Sequence, residues 1–187
     1  MERSLSTAED RRAAVLEAGL GVFARSGYRG TPVSAVAAAA GISPAYVFRL
    51  FPAKVDLFTA TLHTCFARIL KALRDSVEEL PAAGPEEVLA AMANAYAALI
   101  ADRKLLMLQV HALAASDDTA IREALRGEQA RLADYVADRS KAPQPQVQAF
   151  FARGQLCHMV VALDIESSRE PWASYLTEGL VHTPPGP

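Results

Sequence analysis

Residues 31–54 read TPVSAVAAAAGISPAYVFRLFPAK. Twice in this stretch a hydroxyl residue precedes a proline, at Thr31-Pro32 and at Ser43-Pro44. Each pair sets an N-cap side chain before a proline at the first helical position. Between them, residues 33–40 form a short helical run stopped by Gly41. The second run, 44–50, must end near Phe51, because Pro52 disfavours the helical region for the residue before it. Two short helices joined by a glycine-containing turn spell a helix-turn-helix. Ala37 is small enough to let the second helix cross closely, and Gly41, four residues later, suits a turn needing positive φ. Ile42, Val47 and Leu50 supply the apolar underside. Ser43, Pro44, Ala45, Tyr46 and Arg49 are left on or near the outward face.

The flanking sequence is helical too. Over residues 8–26, Ala13, Leu16, Leu20 and Phe23 form a stripe at helical spacing, ended by Gly27. Gly19 and Gly21 weaken this helix by about 1 kcal/mol each relative to alanine, which points to close packing against a neighbour. A long helix follows over 53–80, with Phe58, Leu62, Cys65 or Phe66, Ile69, Leu73 and Val77 on one face. After a break at 81–85, helices are expected at 86–102, 103–116, 118–140, 146–166 and 171–181, with a loose tail at 183–187. No strand-like alternation occurs. Alanine, the best helix former, accounts for 37 of 187 residues.

Composition removes other classes. The chain is 51% hydrophobic and 21% charged, which fits a helix-rich globular protein rather than a disordered one. The longest apolar run, 88–101, is shorter than the roughly 18 residues of a membrane span and reads as a buried core helix. Charged residues at positions 9–12 argue against a signal peptide, so a cytoplasmic location without membrane attachment is expected. Cys65 and Cys157 lack any ligand spacing and read as buried thiols. No metal site or cofactor is expected from the four histidines. Adjacent Cys157 and His158 do not face each other on a helix and form no catalytic pair. Without a catalytic motif, no enzyme is expected.

A net charge of −2 argues weakly against nucleic-acid partners. The charge is uneven, however. Residues 1–56 carry 7 basic and 5 acidic residues, and residues 57–187 carry 12 and 16. The little basicity there is lies beside the helix-turn-helix.

The order of Leu16-Glu17-Ala18, Val22-Phe23, Gly27-Tyr28-Arg29-Gly30-Thr31, Val36-Ala37-Ala38, Ala40-Gly41-Ile42-Ser43, Phe48-Arg49-Leu50-Phe51-Pro52-Ala53-Lys54 and Leu57-Phe58 resembles the DNA-binding domain of TetR-type (tetracycline-repressor-like) transcriptional regulators. The resemblance covers about residues 10–60. It implies an all-α fold, with an N-terminal helix-turn-helix DNA-binding domain over 1–56 and a C-terminal helical ligand-binding and dimerisation domain over 57–187. It also implies roles. Thr31 would cap the first helix of the motif and donate to a DNA phosphate. Ser43, Pro44, Ala45 and Tyr46 would form the tip of the recognition helix, which enters the major groove. Lys54 would hold a phosphate at the start of the long helix. Arg49 could reach a guanine or the backbone. The family usually has Tyr where this chain has Phe48, which removes a hydroxyl that Tyr46 could replace.

One recognition helix reads few base pairs, so an inverted-repeat operator calls for a homodimer. The segment 147–165 is apolar on nearly every side and must be buried on both. With Trp172 and Tyr175, it supplies the expected interface: Phe150, Gly154, Cys157, His158, Val161, Trp172 and Tyr175. Phe66, Met92, Tyr96, Met107, His111 and Phe151 mix soft and polar groups on apolar faces. They are the expected contacts of a small, largely apolar effector, although each alone would pass for core. The sequence thus leads to a DNA-binding regulator, a repressor that an effector releases. The competing reading is an all-helical binding or interaction protein that no longer binds DNA.

Overall fold

The computed structural model describes residues 7–78, 80 and 83–180. Every regular element among them is helical: α1 (Ala8–Gly30), α2 (Val33–Ala39), α3 (Pro44–Leu50), α4 (Lys54–Asp75), α5 (Pro85–Ile100), α6 (Arg103–Ala114), α7 (Thr119–Ser140), α8 (Gln144–Ala162) and α9 (Pro171–Thr177). A 3-10 turn at Ile165–Ser167 separates the last two. The expected tail at 183–187 lies outside the described residues.

Most boundaries follow from local chemistry. At the start of α1, Thr7 Oγ1 accepts from Asp10 N–H, and Asp10 accepts from Thr7 N–H, a reciprocal capping box. Gly27 breaks this helix as expected, with φ 67° and ψ 179° inside it. At α3, Ser43 Oγ accepts from Tyr46 N–H at 3.2 Å. Asp56 reaches back to Ala53 N–H at 2.9 Å and so opens α4. Its far end stops at Asp75 rather than 80. There Arg139 of α7 donates to the carbonyls of Val77 and Leu80, satisfying groups the helix leaves open.

The chain divides into two compact units. Unit 1 holds residues 1–65 and 107–125, and unit 2 holds 66–106 and 126–187. This division differs from the expected boundary after residue 56. The C-terminal half of α6 and the start of α7 belong with the first three helices, and their contacts show why. The ring of His111 abuts Gly27, and Asp117 pairs with Arg29.

In unit 1 the core includes Val15, Leu20, Phe23, Val36, Val47, Phe51, Phe58 and Leu62. Phe23 and Phe58 meet edge to face with ring centroids 4.9 Å apart, and Tyr28 adds a tilted contact to Phe58. The buried stripe of α1 contains Val15, Gly19, Leu20, Val22 and Phe23. Leu16 is only half-buried and Ala13 is exposed, so the stripe is rotated by about one residue from the sequence reading. In unit 2 the core includes Phe66, Ile69, Leu73, Val88, Met92, Ile100 and Val136. A smaller cluster of Val160, Ile165 and Ala173 gathers Leu156, Leu176 and Leu180 around it. The apolar run at 88–101 is thus a core helix, with Val88, Met92, Ala97 and Ile100 buried in α5.

Candidate nucleic-acid interface

Helices α2 and α3 cross at 102°, within the range of a helix-turn-helix. The turn between them is tied by Ile42 N–H to Ala37 carbonyl at 3.0 Å, and Gly41 adopts φ 67°. Val36 and Ala37 are buried under α2, and Val47 under α3. Against that fixed underside, Ser43, Pro44, Ala45, Phe48 and Arg49 are exposed and Tyr46 is half-buried. The outward face expected of α3 is therefore formed, with Phe48 added to it at 47% exposure. The cap at Ser43 uses an oxygen lone pair, so its hydroxyl proton stays available to an acceptor such as phosphate.

Two of the expected phosphate contacts are placed differently. Thr31 does not cap α2: the N-cap position is Pro32, which has no side-chain acceptor. Pro32 keeps extended ψ, so the helix begins at Val33, one residue later than a Thr31 cap requires. Thr31 is 1% exposed, and its hydroxyl oxygen has no hydrogen-bond partner among the described residues. A side chain so covered is closed to phosphate in this conformation. Lys54 is half-buried. Its Nζ donates to the Arg29 carbonyl at 3.3 Å and lies 4.9 Å from the Tyr28 ring centroid. Partial burial lowers its pKa. Two of the three ammonium protons remain for an outside acceptor.

Two arginines of α1 escaped the sequence reading. Arg12 stacks over Phe51 at 4.2 Å and donates to the Leu50 carbonyl at 3.0 Å, fastening α1 to the end of α3. Arg11 lies 5.2 Å from the Tyr46 ring centroid, and Arg49 lies 4.7 Å from the same centroid. Basic residues one helix upstream were the available signal, but periodicity alone does not say which way they point.

The expected effector residues do not fall in one unit. Phe66, Met92, Tyr96 and Phe151 are in unit 2, whereas Met107 and His111 are in unit 1. In unit 2 the Tyr96 hydroxyl is hydrogen-bonded to His158 Nε2, while His158 Nδ1 is buried with no partner among the described residues. Burial pushes the His158 pKa below its usual value.

The expected interface residues of α8 also divide. His158 and Cys157 are buried, and a Cβ on Gly154 would meet Tyr96 of α5 at 3.9 Å. Gly154 and His158 thus face Tyr96 of the chain's own α5, and Cys157 is covered within the single chain. The opposite face of α8 carries Ala152, Met159 and Leu163, all exposed, and Leu163 is 69% exposed. Beyond it, Trp172 and Tyr175 are 49% and 84% exposed. No group of His, Cys, Asp or Glu that could hold a metal ion occurs among the described residues. No single helix among them is long and apolar enough to cross a membrane.

A right-angled helix pair with a capped second helix and exposed side chains over a buried underside has the geometry of a helix-turn-helix. Residues 15–61 match the family described as bacterial regulatory proteins, tetR family. Solved structures extend the likeness in fold across the chain. A TetR-family transcriptional regulator from Rhodococcus sp. is 21% identical, with TM-score 0.70 over 89% of this chain and 95% of that one. The regulator FadR from Bacillus subtilis, solved with stearoyl-CoA, is 16% identical, with TM-score 0.69 over 90% and 97%. A transcriptional regulator from Saccharomonospora viridis, solved with choline, is 19% identical, with TM-score 0.68 over 92% and 94%. No curated protein matches the sequence. Residues 15–61 thus carry the N-terminal domain of the tetR family of bacterial regulatory proteins, and the rest of the chain shares the fold of the solved regulators.

Proposed function

We propose that the protein is a cytoplasmic, homodimeric repressor that binds an inverted-repeat operator through α3 and leaves it when a small effector binds. The observation that carries this reading is the outward face of α3. Ser43, Pro44, Ala45, Phe48 and Arg49 are exposed on a helix anchored by buried Val47. Those side chains combine a hydroxyl, three apolar groups and a guanidinium, which suits thymine methyls, phosphate and guanine.

Dimerisation is assigned to the outward face of α8 and to α9. Met159, Leu163, Trp172 and Tyr175 leave a large apolar surface on one chain, and a second copy would cover it. Effector binding is assigned to unit 2 around α5 and α8, where Tyr96 and His158 put polar atoms near Met92 on an apolar helix pair. The ligands of the two regulators above, a fatty acyl-CoA and choline, are reasonable first probes. Helix α4 contributes residues to both units, so an effector that favours one arrangement of it would bias the spacing of two readers.

The test is retardation of promoter fragments carrying inverted repeats, followed by addition of stearoyl-CoA, choline or members of a metabolite library. Sequence-dependent retardation, reversed by one of these, supports the reading. Absence of binding to any fragment at low salt removes it and leaves the DNA-independent alternative.

A further inference from the structure

We infer that Tyr46 serves as a stacking platform that aims two guanidiniums, Arg11 from α1 and Arg49 from α3, at the DNA, and that Arg11 is itself a backbone contact. The inference rests on the DNA-binding reading and assigns a role to the Tyr46 ring, where the sequence had suggested its hydroxyl.

The geometry is specific to these three residues. The guanidinium carbons of Arg11 and Arg49 lie 5.2 and 4.7 Å from the same ring centroid, within the range of a cation–π contact. Tyr46 is itself fixed, since its N–H is held by Ser43 Oγ and its ring is half-buried. Among the described residues neither guanidinium has an acceptor or an ion-pair partner. Neighbouring cations contrast with them. Arg12 donates to the Leu50 carbonyl, Arg29 pairs with Asp117, and Lys54 donates to the Arg29 carbonyl. Stacking leaves the planar N–H fork of an arginine unspent, and that fork matches phosphate oxygens. Arg49 is on the exposed face of the recognition helix, so its fork reaches DNA first. Arg11 extends the charged edge from α3 onto α1. For a segment with so little net charge, holding two arginines in a fixed direction lowers the side-chain entropy lost on binding.

The test uses the full-length protein and a fluorescein-labelled duplex that the wild type recovers from a randomised library, with a mixed-sequence duplex of equal length beside it. Anisotropy titrations at several salt concentrations give affinity and salt slope. Arg11→Gln should weaken both duplexes alike and make the slope shallower by about 0.9 for each phosphate no longer neutralised, roughly 2 for a dimer. Tyr46→Ala should weaken the selected duplex by at least about fivefold and flatten the slope as well. Tyr46→Phe and Tyr46→Trp keep a ring and should stay within about twofold of wild type. Circular dichroism melts check that each variant is folded. If Tyr46→Phe is as weak as Tyr46→Ala, the hydroxyl acts and the platform is wrong. An unchanged slope in Arg11→Gln removes the Arg11 contact. Failure of the wild type to recover any duplex removes the DNA reading, and this inference with it.

Discussion

Gly19 and Gly21 stand two residues apart on α1 and meet different surroundings. A Cβ on Gly19 would lie 2.7 Å from Thr61 Oγ1, a buried hydroxyl that donates to the Leu57 carbonyl at 2.7 Å. Gly21 has only the tip of Arg25 nearby, at 3.8 Å. Gly19→Ala should therefore destabilise by about 1–3 kcal/mol through overpacking. Adding Thr61→Ala should return part of the loss. Gly21→Ala should instead stabilise by about 0.5–1 kcal/mol, the helical cost of glycine. Urea unfolding of the four proteins checks this, and equal signs for the two single variants would refute it. The sequence reading treated both glycines as packed; it could not know which side of the helix its neighbour occupies. Phe48 makes a second case at this scale. If its exposed ring reads a thymine methyl, replacing that dT by dU should weaken wild-type binding by about 0.8 kcal/mol, the value of one buried methyl-sized group. The same replacement should leave Phe48→Ser unaffected. A wild type indifferent to dU at every operator position would exclude a methyl contact.

Among the elements, α3 was the most legible, because cap, proline and stop signal are all local. Ser43 caps where expected, and Gly41 takes the φ its position required. The same pattern misled at Thr31-Pro32, where the proline occupies the N-cap position itself. Helix α8 was legible as a helix apolar on nearly every side but not in its orientation: one face is buried in the chain and the other is exposed. An apolar surface all round offers no contrast by which to tell inside from outside. The structure resolves it through Tyr96, which turns His158 and Gly154 inward. That placement has a consequence for pH. His158 is buried beside a neutral hydroxyl, and its folded pKa is below the unfolded value of 6.5. In the interval between the two, the unfolded chain binds more protons, so stability falls as pH falls below about 6.5 and is fully present above it. The slope should approach about 1.4 kcal/mol per pH unit at most. Comparing unfolding midpoints at pH 7.5 and 5.5 in wild type and His158→Gln isolates the contribution. A pH dependence identical in both proteins would show that His158 is not its source.

For the whole molecule, the all-helical class and the DNA-reading segment were legible because caps, turns and periodicity are near-neighbour properties. Division into units was not, since it depends on contacts such as those of His111 and Asp117 with residues some 85 positions earlier. The proposed subunit association would depend on surface contacts that local sequence marks no better, and the chain carries its own reporter for it. Trp172 is the single tryptophan and is 49% exposed in one chain, next to Tyr175 on α9. If the outward faces of α8 and α9 meet a second copy, Trp172 loses water on association. Its emission should shift to the blue as protein concentration rises through the dimer dissociation constant. Leu163→Glu places a charge on the proposed seam without disturbing a buried residue, because Leu163 is 69% exposed. That variant should keep red-shifted emission at every concentration, sediment as a monomer, and lose cooperative binding to an inverted repeat while retaining its helical signal. A wild type that sediments as a dimer with Trp172 still water-exposed would move the interface elsewhere. A wild type that stays monomeric would leave the apolar face without its proposed occupant.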